Sequence, residues 1–454
     1  MPEVVTIQTP ALGDRSYLIH DRSEAVVVDP QRDIGRILTA AEARRVRITH
    51  VLETHIHNDY VTGGLALAGQ TGASYVVAAS EEVSFDRLAV SDNDQIVTGS
   101  LTMTAMHTPG HTPGHLSYIL SETGGGPVAV FTGGSMLYGA VGRTDLISPD
   151  QTEQLTRAQY RSVRRLAAEL PDEVAVYPTH GFGSFCSATP TVGTSSTIGT
   201  ERAVNVALRG DEAAFVAELI AGLSAYPRYY AHMGPANRRG PRVLDLPRPE
   251  RADPAELRRR IDAGEWIVDL RERRAFARAH VTGTISIEFG DSFSTYLGWA
   301  IPWGTPLTLI GESRDQVADG QLHLARIGID HIAGAATGPA EALAHEGKVS
   351  TYRVTDFGGL AAEWDRPGLV VLDVRRPDEW RAGHLAGAVH VPFWEVETRA
   401  AEVPAGEVWV HCASGLRASI GASILDRAGR QVVYVDDDWE NATRSGLPIG
   451  PRDA

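Results

Sequence analysis

Short runs in which nearly every position is apolar punctuate this chain, with polar, turn-rich stretches between them. Tyr17-Leu18-Ile19 and Ala25-Val26-Val27-Val28-Asp29 read as the paired strands of a hairpin. From Asp33 to Arg45 the apolar residues fall at helical spacing, which predicts an amphipathic helix. Thr49-His50-Val51-Leu52-Glu53 reads as a buried strand that delivers the next residues to a loop, and Val128-Ala129-Val130-Phe131 as another. The pattern predicts one long helix from Glu201 to Leu223. Pro, Arg and Gly then crowd Pro227 to Asp253, which marks a linker or an extended wrap.

Beyond that stretch one unit occurs twice. Trp266-Ile267-Val268-Asp269-Leu270-Arg271 leads to Ala279-His280-Val281-Thr282-Gly283, and Val370-Val371-Leu372-Asp373-Val374-Arg375 leads to Gly383-His384-Leu385-Ala386-Gly387. Asp, His and Gly recur at matching offsets, as a duplication requires. Each copy continues with a helix and a further strand, the pattern of a small α/β unit with a parallel sheet. At 454 residues the chain exceeds one ordinary core and predicts about three domains.

Composition narrows the partners. Hydrophobic residues at 43% and charged residues at 22% are ordinary for a globular protein. A net charge of −15 with no basic patch argues against nucleic acid or an anionic membrane as partner. No window is apolar and long enough to span a bilayer, and Met1-Pro2-Glu3-Val4 does not open a signal peptide. Cys186 and Cys412 fall in different predicted domains, so a reducing, cytoplasmic location is expected and each thiol is a candidate for chemistry.

The candidate chemistry begins in Thr54-His55-Ile56-His57-Asn58-Asp59-Tyr60, directly after a predicted strand. His-x-His at a strand end aims two imidazoles at one point, and Asp59 can reach a neighbouring one. Neutral imidazoles suit Zn or Fe(II), and a divalent ion normally takes at least three protein ligands. The turn Thr108-Pro109-Gly110-His111-Thr112 can present His111 from a second strand end, and His180 in Thr179-His180-Gly181 follows a third. His107, His115, His280 and His345, taken singly, read as solvated or hydrogen-bonded side chains.

The second repeat carries a different signal. In Val408-Trp409-Val410-His411-Cys412-Ala413-Ser414-Gly415-Leu416-Arg417 a buried strand ends in Cys412, and the loop Ala413, Ser414, Gly415, Leu416 runs into a helix. Backbone N–H groups and the helix dipole favour an anion there, which stabilises a thiolate, and Arg417 adds positive charge. The first repeat has Leu307-Thr308-Leu309-Ile310-Gly311-Glu312-Ser313 at the comparable place, with no cysteine. It cannot perform thiol chemistry.

Residues 1 to about 230 resemble the metallo-β-lactamase superfamily through the His55 and His111 motifs. Within it they are most like the persulfide dioxygenases, through Phe131-Thr132-Gly133, Gly142-Arg143-Thr144-Asp145 and Gly183-Ser184-Phe185-Cys186. The box Glu379-Trp380-Arg381-Ala382-Gly383-His384-Leu385-Ala386-Gly387-Ala388 and the loop Cys412 to Arg417 resemble rhodanese. The resemblance implies an α/β chain: an N-terminal αββα sandwich over 1–235, then two rhodanese-like domains with parallel sheets, an inactive one over 236–345 and an active one over 350–454. It further implies one Fe(II), alternatively Zn, with His55, His57, His111, Asp59 and His180 as candidate ligands. Arg143, Cys186 and Tyr60 are then candidates for substrate contact, and Cys186 reads either as a core thiol or as a persulfide carrier. Superfamily relatives often dimerise, so a homo-oligomer is expected.

The implied activity is oxidation of a low-molecular-weight thiol persulfide to sulfite, coupled to sulfur transfer and thiosulfate formation at Cys412, with Arg417 assisting. Two residues depart from the family pattern: Tyr60 stands where a histidine of the second metal site belongs, and Gly134 where the dioxygenases place an iron-binding Asp. Three other readings stand beside this one. One is a sulfurtransferase with a degenerate metal domain, one a Zn-dependent thioester hydrolase of the glyoxalase II type, and one a persulfide sensor without turnover. The loss at Gly134 favours the first, and both departures count against the second.

Overall fold

The computed structural model describes residues 2–122, 124–191 and 193–450. Two compact units emerge, one holding the chain to Leu223 with Tyr229–Asp245 and Ala325–Gly328, the other Ser224–Arg228, Leu246–Leu324 and the chain from Ile329.

Among the described residues the first unit is built on twelve strands in two sheets. The first sheet runs in chain order through β1 (Glu3–Thr9), β2 (Asp14–His20), β3 (Glu24–Val28), β4 (Arg47–Leu52), β5 (Ser74–Ala78) and β6 (Leu88–Val90). The second contains β7 (Gln95–Thr98), β8 (Leu101–His107), β9 (Leu116–Glu122), β10 (Pro127–Gly133), β11 (Ala175–Pro178) and β12 (Ser196–Thr197). Side chains that alternate along a strand reach opposite faces, and the packing follows that period. Tyr17, Ile19, Val26 and Val28 face Met103, Tyr118, Leu120 and Phe131 of the other sheet. Leu18, Ala25 and Val27 face outward against Ile37, Ala41, Leu67 and Ala68 of the helices Gly35–Arg44 and Gly64–Thr71. The outer face of the second sheet, with Met106, Val130 and Val176, packs on Val163, Leu166 and Leu219 of the helices Thr152–Glu169 and Glu212–Gly222. These strands read as continuous apolar runs because both faces are covered.

Two expectations fail locally. The helix predicted over Glu201 to Leu223 is broken into Ile198–Val204, a 3-10 turn at Val206–Leu208, and Glu212–Gly222. Asn205 ends the first piece: its amide donates to the carbonyls of Leu137 and Ala140 at 3.1 and 2.9 Å, and its Oδ1 accepts from the Ala207 N–H at 3.1 Å. Gly210, at φ 66°, makes the left-handed turn, and Asp211 caps the next helix by accepting from the Ala214 N–H. The stretch read as a linker holds the helix Tyr230–Arg239, which belongs to the first unit.

In the second unit each repeat has its own parallel sheet. The first is ordered Ile285–Ser286, Trp266–Asp269, Leu307–Gly311, Gly334–Thr337. The second is ordered Arg353–Thr355, Val432–Val435, Val408–His411, Val370–Asp373, Val389–His390. The matched Asp and Arg residues form the same bracket in both. Arg271 Nη2 lies 2.6 Å from Asp269 and donates to Ala279 O at 3.0 Å, while Arg375 Nη2 lies 2.6 Å from Asp373 and donates to Gly383 O at 2.7 Å. His280 stacks on Phe276 at 4.0 Å and His384 on Trp380 at 3.6 Å, and each donates Nδ1–H to that aromatic residue's carbonyl at 3.0 Å. The repeated motif is therefore a device for closing the strand-to-helix loop.

Phe131 joins the two sheets of the first unit, meeting Tyr17 edge-on at 5.2 Å and stacking on Tyr177 at 5.2 Å. Phe131→Ala is expected to destabilise this unit by about 3–5 kcal/mol, read as a lower urea midpoint.

Candidate functional site

The loops after β3, β4, β10 and β11 and the β8–β9 turn meet at one edge of the sandwich. Asp29 organises them. It sits at the end of β3 with φ 50°, a left-handed conformation uncommon outside glycine. Its buried carboxylate accepts from the Thr54 N–H at 2.7 Å, the Thr54 hydroxyl at 2.7 Å and the Thr179 hydroxyl. Because the single Thr54 hydroxyl proton goes to Asp29, His55 Nδ1–H donates to Thr54 Oγ1 at 2.9 Å, and His55 Nε2 keeps a free lone pair.

The other imidazoles are set in the same way. His111 Nδ1–H donates to the Arg143 carbonyl at 2.7 Å, and its Nε2 is buried without a partner. His180 Nδ1–H donates to Asp14 at 2.9 Å, so that Nε2 lies 3.2 Å from His55 Nε2. His57 Nε2 lies 3.3 Å from Asp29, 3.2 Å from Glu53 and 3.0 Å from the Tyr60 hydroxyl, while its Nδ1 has no hydrogen-bond partner. Metal-bound histidines characteristically anchor the remote nitrogen on a carboxylate or carbonyl in this manner. Two nitrogens on one tetrahedral ion stand roughly 3.4 Å apart, close to the His55–His180 separation. Asp59 adds a buried carboxylate, with neither oxygen hydrogen-bonded and one 3.2 Å from His180 Nδ1.

Protonation agrees for two of the rings. Burial, reinforced by the neighbouring imidazoles, holds His55 well below its ordinary range and brings His111 down to about 3, so both are neutral donors. Burial also disfavours the charged form of His57, but the charge of Asp29 and hydrogen bonds to Asp29 and Glu53 outweigh it and lift the ring to about 9.

The ligand atoms of His55, His57 and His180 lie within 4.8 Å of one another, as do those of His111, His180 and Cys186, and those of Asp14, Asp59 and His180. The predicted His55, His57 and His111 are brought together, with ring centroids 4.1 Å apart for the first two and 4.8 Å for His55 and His111. His180, read as a fourth, is the residue the groups share. His115 holds a different post: its Nε2 accepts from the Gly134 N–H at 3.0 Å. Tyr60 engages His57 instead of offering an imidazole. Arg143 is buried and occupied, with Nε and Nη2 on Asp145 at 2.7 and 2.8 Å and Nη1 on the Phe185 carbonyl at 3.2 Å. The donors present fit a single divalent ion.

At Gly134 the gap left by the missing carboxylate is filled. A Cβ there would stand 2.6 Å from His111 Cγ and 2.9 Å from His111 Nε2, so the ring occupies that space. Sequence reasoning missed Asp14, Asp29, Glu53 and Asn237. Asn237 lies on the helix that read as linker, and its amide donates at 2.8 Å to the carbonyls of both His57 and Tyr60. The only signal for Asp29 and Glu53 was an acidic residue ending an apolar run.

In the second unit Cys412 ends the strand Val408–His411 and is 1% exposed. Ala413, Ser414 and Gly415 lead into the helix Leu416–Arg427, whose first N–H groups lack intrahelical partners. Gly415 takes φ 88°, and a side chain there would collide with Asp436. The Ala413 carbonyl accepts from the Trp439 N–H at 2.8 Å, which fastens the loop. Arg417 is paired with Glu379, Nη2 to Oε1 at 2.8 Å, and the carboxyl of Glu379, though disfavoured by burial, is held below its usual range by this guanidinium.

Comparison with known proteins agrees with this architecture. The profile of the Metallo-beta-lactamase superfamily matches residues 11–180, and that of the Rhodanese-like domain matches residues 358–444. A hydroxyacylglutathione hydrolase of Cereibacter sphaeroides is 31% identical over 185 residues, 40% of this chain and 67% of the hydrolase. The mitochondrial persulfide dioxygenase of Homo sapiens is 29% identical over 194 residues, 42% of this chain and 69% of that protein. The crystal structure of a metallo-beta-lactamase from Staphylococcus aureus superposes with a TM-score of 0.67 at 28% identity, covering 74% of this chain and 99% of that one. The chain thus belongs to the metallo-beta-lactamase superfamily. Within that class it is a fusion, with a rhodanese-like domain toward its C-terminal end. No helix among the described residues is long and apolar enough to cross a membrane.

Two outcomes follow. Gly134→Asp is expected to displace His111 and lower, not raise, the bound metal per chain measured by elemental analysis. Glu379→Gln is expected to destabilise the second unit by about 2 kcal/mol, less than breaking a fully buried pair, because Glu379 retains 21% exposure. A depressed carboxyl contributes stability above its unfolded value of about 4.3, and that contribution fades as pH falls through the lower folded value. The difference between wild type and variant, followed by chemical denaturation, should be constant near neutral pH and shrink below about pH 4.

Proposed function

We propose that this chain is an enzyme of sulfur metabolism that oxidises a low-molecular-weight thiol persulfide at a single metal ion in its first unit and transfers sulfur at Cys412 in its second. The observation that carries the reading is the set of four buried imidazoles, each anchored through one nitrogen with the other left for an ion, in a chain that also holds a rhodanese-type cysteine loop. The likeness to a protein named persulfide dioxygenase supports the same chemistry. We read the chain as three modules, 1–235, 236–345 and 350–454, with the middle one catalytically silent for want of a cysteine.

His55, His57, His111 and His180, with Asp59 beside them, would hold the ion. Fe(II), when bound, supplies a redox-active centre where dioxygen and a sulfur donor meet. The protein supplies the rest: Asp29 and Glu53 fix the His57 ring, Asp14 fixes His180, and the Arg143 carbonyl fixes His111. In the overall reaction a persulfide RSSH, dioxygen and water give RSH, sulfite and protons. At the second site the Cys412 thiolate attacks the outer sulfur of a persulfide, forming an S–S bond and expelling RS⁻. Sulfite then takes that sulfur, giving thiosulfate and restoring the thiolate. The helix N-terminus and Arg417 favour the anionic states on both sides of this exchange.

The gap at Gly134, filled by His111, favours a second reading in which only Cys412 is active. A two-ion thioester hydrolase, the activity that the name of the Cereibacter relative suggests, is less well supported. Tyr60 offers no second-site imidazole, and Gly134 no bridging carboxylate.

The test is oxygen uptake by the Fe(II)-loaded full chain given a synthetic thiol persulfide. Sulfite formation is expected to vanish in His111→Ala, while transfer of sulfur to added sulfite persists. Cys412→Ser should retain oxygen uptake but stop at sulfite. Full transfer activity with no persulfide-dependent oxygen uptake would sink the dioxygenase half in favour of the second reading.

A further inference from the structure

We infer that Cys186 is a metal ligand, its thiolate providing the anionic donor that Gly134 cannot. The inference deepens the metal-binding reading above and rests on it. Gly134 has no carboxylate to offer, and the His111 ring fills the space such a group would need. That position therefore supplies no anionic donor. Across the site, the loop after His180 carries Cys186, which is 0% exposed. Its sulfur lies within 4.8 Å of the donor nitrogens of both His111 and His180.

Two independent observations point to an ion at this place. His111 Nε2 is buried with no hydrogen-bond partner, and so is Oδ1 of the neighbouring Asp59, whose Oδ2 lies 3.2 Å from His180 Nδ1. Orphaned polar atoms of this kind are uncommon in a protein interior and call for a missing partner. A cation would satisfy the nitrogen, the sulfur and the carboxylate together.

The spacing of the two outer donors is set by one residue. Arg143 accepts His111 Nδ1–H through its carbonyl at 2.7 Å, and its own N–H donates to the Cys186 carbonyl at 2.8 Å. Its guanidinium meanwhile grips the Phe185 carbonyl at 3.2 Å. The Cys186 N–H donates to Ser184 Oγ at 3.2 Å, which closes the loop locally. Arg143 is in this sense a positioning residue for two ligands at once. Metal–sulfur bonds of about 2.3 Å and metal–nitrogen bonds of about 2.0–2.1 Å set the distances at which these donors would close on an ion. With Cys186 added to the imidazoles the sphere is softer than one of imidazoles and carboxylate, and suits Zn(II), Co(II) or Fe(II). Binding releases the thiol proton to solvent, so no oxidant is required.

The test uses Co(II) alone, added to the metal-free full chain. In Cys412→Ser the only remaining thiol is Cys186, so its environment is probed without altering it. That variant is expected to bind one Co(II) with visible ligand-field bands and an intense near-ultraviolet thiolate-to-cobalt charge-transfer band. Bound Co(II) should also protect Cys186 from alkylation. Cys186→Ser should lose the charge-transfer band and weaken binding by about 100-fold or more, beyond the 10–100-fold of an outer-shell partner. Ligand-field bands that need His55 but come with no charge-transfer band would overturn the thiolate ligand and leave the metal site standing. A charge-transfer band seen only while Cys412 is present would do the same. Failure to bind Co(II) at all would overturn both.

Discussion

A single buried carboxylate, that of Asp29, holds the metal edge of the first unit together. It accepts hydrogen bonds from Thr54, just past β4, and from Thr179, just past β11, and it lies beside His57. Two loops distant in sequence therefore converge on the one that carries this charge. Thr54 Oγ1 accepts from His55 because its own hydroxyl hydrogen is already directed at Asp29. Removing this charge would free the tautomer of His55 and the orientation of His57 in one stroke. The left-handed backbone at Asp29 is the local strain accepted to aim the carboxylate inward.

The second unit uses a comparable principle in duplicate. In each repeat an arginine two residues past the strand-end aspartate folds back on it and reaches the carbonyl before the conserved-offset histidine. The bracket is complete in the copy without a cysteine, so its purpose is loop closure and not sulfur chemistry. The copies also touch: Trp299 of the first stacks on Trp394 of the second at 4.5 Å, and Arg273 of the first donates to Asp436, which abuts Gly415 in the Cys412 loop. The repeat without a cysteine thus braces the loop that carries Cys412 in the other.

Much of this was legible in the sequence because the decisive signals are local. The apolar runs before His55, His180 and Cys412 announce strands, and histidines or a cysteine directly after them announce loops at a sheet edge. The duplication shows in three matched residue types. What escaped depends on partners far along the chain. Asp14, Asp29, Glu53 and Asn237 are ordinary polar residues until folding sets them against the histidine loops. The helix expected from Glu201 to Leu223 failed because Asn205 prefers the carbonyls of Leu137 and Ala140 to another helical turn. The helix Tyr230–Arg239 was hidden by Pro235 and by the Pro- and Arg-rich residues that follow it.

Cys412 is almost wholly buried. At 1% exposure the sulfur is reached only when the groups packed over it give way. Donor and acceptor would have to open the same cover, so burial imposes one shared gate on both halves of any exchange at this thiol.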